Sequence, residues 1–415
     1  MKLLNNIPRY AIYSLLVFTP LARGSLPGWS ITTMHLVTLI ALCTFLLEKN
    51  ITWNWKSIKI PHYKLIFFLL LFCSISSFYS INYYISFWAM SLLLNYLVIF
   101  CLIISVVRTR AQFRQLVYLI VGIAAFLSIF GLFKWGGVNP FPWWGYSKLN
   151  YNKTMLSATY YNHNHLAGYL EMAIPMILGL FLTGLKKGRL IFIIILTLIL
   201  FSALILSLSR GGWIGAFAGL FFFALSLFFN RHFNKKKLVA VLAGGFVVVV
   251  IIVLSSTPAV KRILSFEQQS EIPNFRARAI VWKGAVQAIK IRPLLGTGPG
   301  TFSTIFTQYQ PPGFKVRYFR AMNDYLHFAA EIGLPIIAIM VWMAITLYQK
   351  GFSKLRNPSR LVRGVTLGAM SGITAILVHS IFDFNLHIPA NALLFTVLTA
   401  IVIAPAPTYN QNEFK

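Results

Sequence analysis

Residues 189–229 read RLIFIIILTLILFSALILSLSRGGWIGAFAGLFFFALSLFF, and Arg189 and Arg210 are the only charges in this stretch. Two apolar runs, 189–208 and 211–229, are separated by a tight turn that carries Arg210. Each run has the length, about 17–25 residues, that carries a helix across a hydrocarbon core of about 30 Å. The hairpin therefore points to membrane-spanning helices.

Working outward, the same pattern recurs. Apolar bands fall at 9–23, 31–47, 63–79, 83–107, 114–134, 166–185, 237–255, 325–348, 363–382 and 388–405, in addition to the two just quoted. The expected fold is all-α, a polytopic bundle of about 12 transmembrane helices forming a single membrane domain over 1–415. Composition agrees: 58% of the residues are hydrophobic and 11% charged, with a mean hydropathy of +0.72. A soluble domain carries roughly a quarter charged residues. The first band follows Lys2 and Arg9 with no small-x-small cleavage pattern, so it is expected as a retained span.

The net charge of +29 would suit a nucleic-acid partner, but its distribution excludes that reading. With the N-terminus inside, 22 of the 37 Lys and Arg residues fall on inner segments, among them Lys49, Lys56, Arg108, Arg110, Lys186, Lys235 and Arg356. This positive-inside bias places both termini in the cytoplasm. The loop at 256–324 escapes it with ten Lys and Arg residues, and so requires another explanation. Cys43, Cys73 and Cys101 sit in apolar bands and imply packing, with no disulfide framework.

Two outer segments interrupt the hairpins, and long loops in an economical bundle usually carry function. The first, 135–165, is rich in aromatics; its Trp143, Trp144 and Tyr146 fit either an interfacial belt or a stacking platform for sugars. The second, 256–324, contains an amphipathic helix expected over 275–291, closed by Pro293 and the turn Gly296-Thr-Gly-Pro-Gly300. That turn precedes a short helix whose backbone N–H groups are candidates to hold phosphate.

Carboxylates number only eight, and no DxD pair, HExxH motif or Cys/His cluster occurs, so no metal or other cofactor is expected. Handling of a phosphorylated substrate would then fall to Arg and Lys. Arg210, at the end of a span, reads as a snorkelling anchor or an anion clamp. Arg276, Arg278 and Lys283 lie along the loop helix, where Arg278 and Trp282 share a face. They fit a helix lying on anionic headgroups, or a diphosphate site with the aromatic turned to lipid or sugar. Asn323, His327 and Glu331 align on one face of the expected tenth span, with Asn323 also suited to an N-cap. His379 and Asp383 fit a structural i, i+4 pair, and His163 and His165 stand at the mouth of the sixth span.

Several segments together resemble the O-antigen ligase and polymerase family. They are Asn162-His-Asn-His-Leu-Ala-Gly-Tyr-Leu170, Ser209-Arg-Gly-Gly-Trp213, Arg278-x-x-x-Trp282, Pro293 through Phe302, Asn323-Asp-Tyr-Leu326 with Glu331-x-Gly333, and His379-Ser-x-Phe-Asp-Phe384. The resemblance covers about 160–390. It implies about twelve helices with a large periplasmic loop, in the bacterial inner membrane. It further implies metal-independent transfer of a glycan from undecaprenyl diphosphate to a glycolipid or glycan acceptor hydroxyl, in lipopolysaccharide or other surface polysaccharide synthesis. Arg210 and Arg278 match the family arginines that hold the diphosphate, with Arg276, Lys283, Trp282, Asn323 and His163 as further substrate contacts.

The chain departs from the family at the residue before Asn323, where a histidine usually serves as base and this sequence has Met322. A thioether accepts no proton at useful pH. His327 and His165 are the remaining candidates, although His327 lies about 140° round and about 7.5 Å along a helix from position 322. A transporter and a non-catalytic glycan-binding protein are the rival expectations.

Overall fold

The computed structural model describes residues 6–53, 60–141, 155–184, 187–230, 272–310, 312 and 318–408, with backbone alone at 187 and 272–276. The ninth expected span (237–255), the side chain of Arg276, and Trp143, Trp144 and Tyr146 lie outside the described residues. So do residues 142–154 of the first outer loop and 256–271, 311 and 313–317 of the second.

Fourteen helices follow one another among the described residues. They are α1 (Ile7–Leu21), α2 (Gly28–Ile51), α3 (Tyr63–Phe78), α4 (Tyr83–Val106), α5 (Arg110–Trp135), α6 (His163–Phe181), α7 (Lys187–Leu206) and α8 (Arg210–Phe229). After them come α9 (Ile272–Ile291), α10 (Phe302–Phe306), α11 (Asp324–Ile332), α12 (Pro335–Lys354), α13 (Arg360–His379) and α14 (Pro389–Ile403). No strand forms among these residues; one isolated bridge joins Thr109 to Thr408. Seven helices (α2, α4, α5, α7, α8, α12 and α13) are long and apolar enough to cross a membrane. The chain is a helical membrane protein. Phe87, Phe192, Phe217, Phe221 and Phe228 are exposed on its surface, as lipid-facing residues should be.

The centre of the bundle is α6, α13 and α14, which are buried along most of their length. Small residues make this possible. Gly364, Gly368 and Gly372 recur at i, i+4 and i+8 on α13 and lie against the backbone of α6 at Gly179, Pro175 and Met172. On another side of α13, the carbonyls of Ser371 and Ala375 meet Gly219 and Gly215 of α8. Where lipid replaces water, helices associate through such close backbone packing, because apolar burial offers little drive. At one end of the bundle Lys354 is buried, and its Nζ donates to the carbonyls of Ile401 (2.6 Å) and Ala404 (2.8 Å). It thereby satisfies the open C-terminus of α14.

The apolar band at 325–348 is not one span. It divides at Gly333, whose φ of 99° ends α11 and which is packed against the Leu294 carbonyl; Pro335 then starts α12. Proline at the first helical position is favourable, whereas a helix running through it would lose a hydrogen bond. A second, smaller core sits beside this break, where Val281, Ala285 and Ala288 of α9 pack on Phe302 and Phe306 of α10, and on Ala321 and Ala330.

Candidate functional site

The starts of α6, α8 and α11 and the end of α13 meet at one end of the bundle. Ser209 caps α8 by accepting from the Gly212 N–H (3.1 Å), which places Arg210 on the first turn. Gly211 sits directly against the ring of His379, and Gly212 against Ala167 of α6. Larger residues would not fit there, so the Arg-Gly-Gly sequence lets the arginine's helix close onto its neighbours.

Beneath Arg210, Glu171 of α6 and His379 of α13 form a fully buried pair, with Nδ1 at 3.0 and 3.1 Å from the two carboxylate oxygens. The expected His379–Asp383 pair does not form. The helix ends at His379, and Asp383 instead accepts from Asn164 Nδ2 of α6 (2.8 Å) and from the Phe384 N–H (2.8 Å). Both residues thus fasten α6 to α13 and the chain that follows it.

Asp324 is buried and accepts three donors: Ser380 Oγ (2.8 Å), the Leu386 N–H (3.0 Å) and His387 Nδ1 (2.6 Å). Asn323 is the N-cap of α11. Its Oδ1 accepts from the Leu326 N–H (3.0 Å) and its Nδ2 donates to the Ile381 carbonyl (2.9 Å). That side chain is committed to the fold, which weighs against its expected role as a substrate contact. Tyr325 adds a bond to the Leu377 carbonyl (2.8 Å).

His327 is also internal. It is fully buried; Nδ1 accepts from the Ala321 N–H (3.1 Å), so Nε2 carries the proton and faces Glu331 Oε1 at 3.0 Å. Burial pushes its pKa down, in keeping with a neutral ring. Complete burial and the Ala321 N–H on Nδ1 weigh against its expected role as base for an acceptor hydroxyl. His165 is 3% exposed and lies edge-on to Phe384, with ring centroids 5.0 Å apart, covered by protein instead of standing at a mouth. His163 occupies the first, partly exposed position of α6.

The glycine turn is corrected as well. Its amides are already taken: Gly300 N–H donates to Glu331 Oε2 (2.7 Å) and Phe302 N–H to Glu331 Oε1 (2.8 Å). The Gly298 N–H reaches the Glu331 carbonyl (2.7 Å). From the other side, Ser76 and Ser86 donate to the carbonyls of Leu295 (2.7 Å) and Pro299 (2.9 Å). A positive φ of 108° at Gly298, with Ser80 packed against it, explains the glycine. The turn is a clamp on α11 and the α3–α4 hairpin, and the phosphate-like occupant of its N–H groups is the protein's own carboxylate. His327, Glu331 and His387 bring potential ligand atoms within 4.8 Å of one another.

On α9, Trp282 is partly buried and its Nε1 donates to the Met322 carbonyl (3.4 Å). Arg278, one turn earlier on the same face and partly buried, is therefore carried towards the start of α11. Lys283 is exposed, off that face. Met322 has a φ of 53°, left-handed backbone that a non-glycine residue rarely adopts. The contacts run without a gap from Arg278's face through Trp282, Met322, Asn323–Asp324, Ser380–Ile381 and His379 to Gly211 beside Arg210. The two arginine-bearing helices thus stand at either end of one polar seam.

Residues 195–343 match the family model described as O-Antigen ligase, which supports membership of the O-antigen ligase superfamily. The matched segment includes Arg210, Arg278 and Glu331 and ends before His387. No curated protein matches the chain.

Sequence reasoning missed His387, Ser380 and the α6 partners Glu171 and Asn164. His387 lies three residues beyond the His379–Phe384 motif, in Phe384-Asn-Leu-His387, so only proximity to that motif marked it.

Proposed function

We propose that the chain is a glycosyltransferase that moves a glycan from undecaprenyl diphosphate to the hydroxyl of a glycolipid or glycan acceptor. It acts at the outer face of the bacterial inner membrane, with about twelve spans and both termini cytoplasmic. The observation that carries this reading is the O-antigen ligase match, which takes in both helices that carry Arg210 and Arg278. In this account the guanidinium groups, joined by Arg276 and Lys283, hold the diphosphate and stabilise the charge that develops as the anomeric C–O bond breaks.

The arrangement suits this chemistry better than transport, for which polar groups are expected near the bilayer midplane at broken helices. Met322 alone favours a second reading, a member that binds lipid-linked glycan without transferring it.

Deletion of the gene in its own host tests the proposal. The expected result is loss of a surface polysaccharide with accumulation of lipid-linked glycan in the membrane. Single accumulated repeats would identify a polymerase, and long lipid-linked chains a ligase. A deletion strain with unchanged polysaccharide and lipid-linked pools would overturn it.

A further inference from the structure

Resting on the transferase reading, we propose that His387, oriented by Asp324, is the proton acceptor for the incoming hydroxyl. The geometry that carries this is a His–carboxylate dyad on the polar seam, Nδ1 to Oδ1 at 2.6 Å, with 12% of the imidazole accessible and its carboxylate partner fully buried. Asp324 accepts from Ser380 Oγ and the Leu386 N–H as well, so it is held in place. Because Nδ1–H donates to Asp324, the lone pair of the neutral ring is on Nε2, which makes no hydrogen bond among the described residues. Phe328 stacks on the ring at a 24° interplanar angle, and His327 abuts it at 4.1 Å between centroids, which fixes its plane.

Accessibility singles out the same residue. The carboxylates of Glu171, Asp324, Glu331 and Asp383 are each bonded within the protein, and the imidazoles of His165, His327 and His379 are at most 3% exposed, whereas 12% of the His387 side chain is accessible. Position 322, two residues from Asp324, is a thioether. An imidazole with its far nitrogen held by a buried carboxylate is the arrangement that general-base chemistry requires.

The step balances as follows. The acceptor oxygen forms a bond to the anomeric carbon while the bond from that carbon to the diphosphate oxygen breaks, its electron pair leaving on undecaprenyl diphosphate. The hydroxyl proton passes to His387 Nε2, and Asp324 stabilises the resulting imidazolium until the proton is released to water.

The test uses the full-length chain returned to the deletion strain as His387→Gln and His387→Ala. Glutamine retains a donor for Asp324 but accepts no proton, so His387→Gln is expected to lower surface polysaccharide formation about 10²- to 10⁴-fold. The variant should reach the membrane at the parental level and, once purified, retain added undecaprenyl diphosphate like the parent. Added imidazole should restore part of the transfer by His387→Ala. Parental polysaccharide in His387→Gln, or no imidazole rescue of a well-inserted His387→Ala, would overturn the assignment. If Arg210→Ala still abolishes polysaccharide in the same strain, only the dyad falls; if Arg210→Ala is silent too, the transferase reading falls with it.

Discussion

Arg210→Ala and Arg278→Ala should each reduce surface polysaccharide at least 10²-fold while leaving the protein in the membrane at its normal level. Loss of one preorganised donor to a developing anion typically costs about 10²–10³ in rate. Here the anion is a diphosphate and the donors proposed to hold it are few. Both arginines are partly exposed, so neither substitution opens a cavity in the core. Lysine at either position should recover less than half of the lost activity, because an ammonium supplies charge without the planar fork that binds two phosphate oxygens. The measurement is a gel of extracted polysaccharide beside an immunoblot of the membrane fraction. Normal polysaccharide in both alanine variants would remove the diphosphate clamp from the account.

The second large effect concerns folding. Glu331→Ala leaves the buried N–H groups of Gly300 and Phe302 without acceptors and strips the partner of His327. Each buried group so orphaned costs about 1–3 kcal/mol, so a total of several kcal/mol is expected. The loss should be local at first: protease sensitivity in the 293–302 turn and a clear fall in thermal unfolding temperature in detergent. Glu331→Gln keeps one acceptor oxygen, sets an amide donor against the other N–H, and should fall between the two. An alanine variant as heat-stable as the parent would show that the glycine turn does not depend on this carboxylate.

The bundle was legible in the sequence because hydropathy alone marks a span, and α2, α4, α5, α7, α8 and α13 lie close to their apolar bands. The break at Gly333 was not, since apolar residues continue on both sides; its only sequence sign is Gly333-Leu-Pro335. The candidate site was legible in part. Residue types and the arginine-bearing turns stood out, but the partners are distant in sequence. Asn164 meets Asp383 across 219 positions and Glu171 meets His379 across 208, which no local spacing rule reveals. The i, i+4 rule misled at His379–Asp383 because it presumed one more helical turn than α13 has. At Glu331, the sequence suggested a polar stripe and a separate phosphate-binding turn. In three dimensions these are one feature, with the carboxylate filling the turn.

The four carboxylates on the seam hold the fold, and this account assigns substrate chemistry to Arg210, Arg278 and His387. The most direct test is a structure of the protein in a lipid nanodisc with undecaprenyl diphosphate. The account predicts the diphosphate at the seam with phosphate oxygens within about 4 Å of both the Arg210 and Arg278 guanidinium groups, the ion-pair range. A diphosphate bound away from both arginines would contradict it.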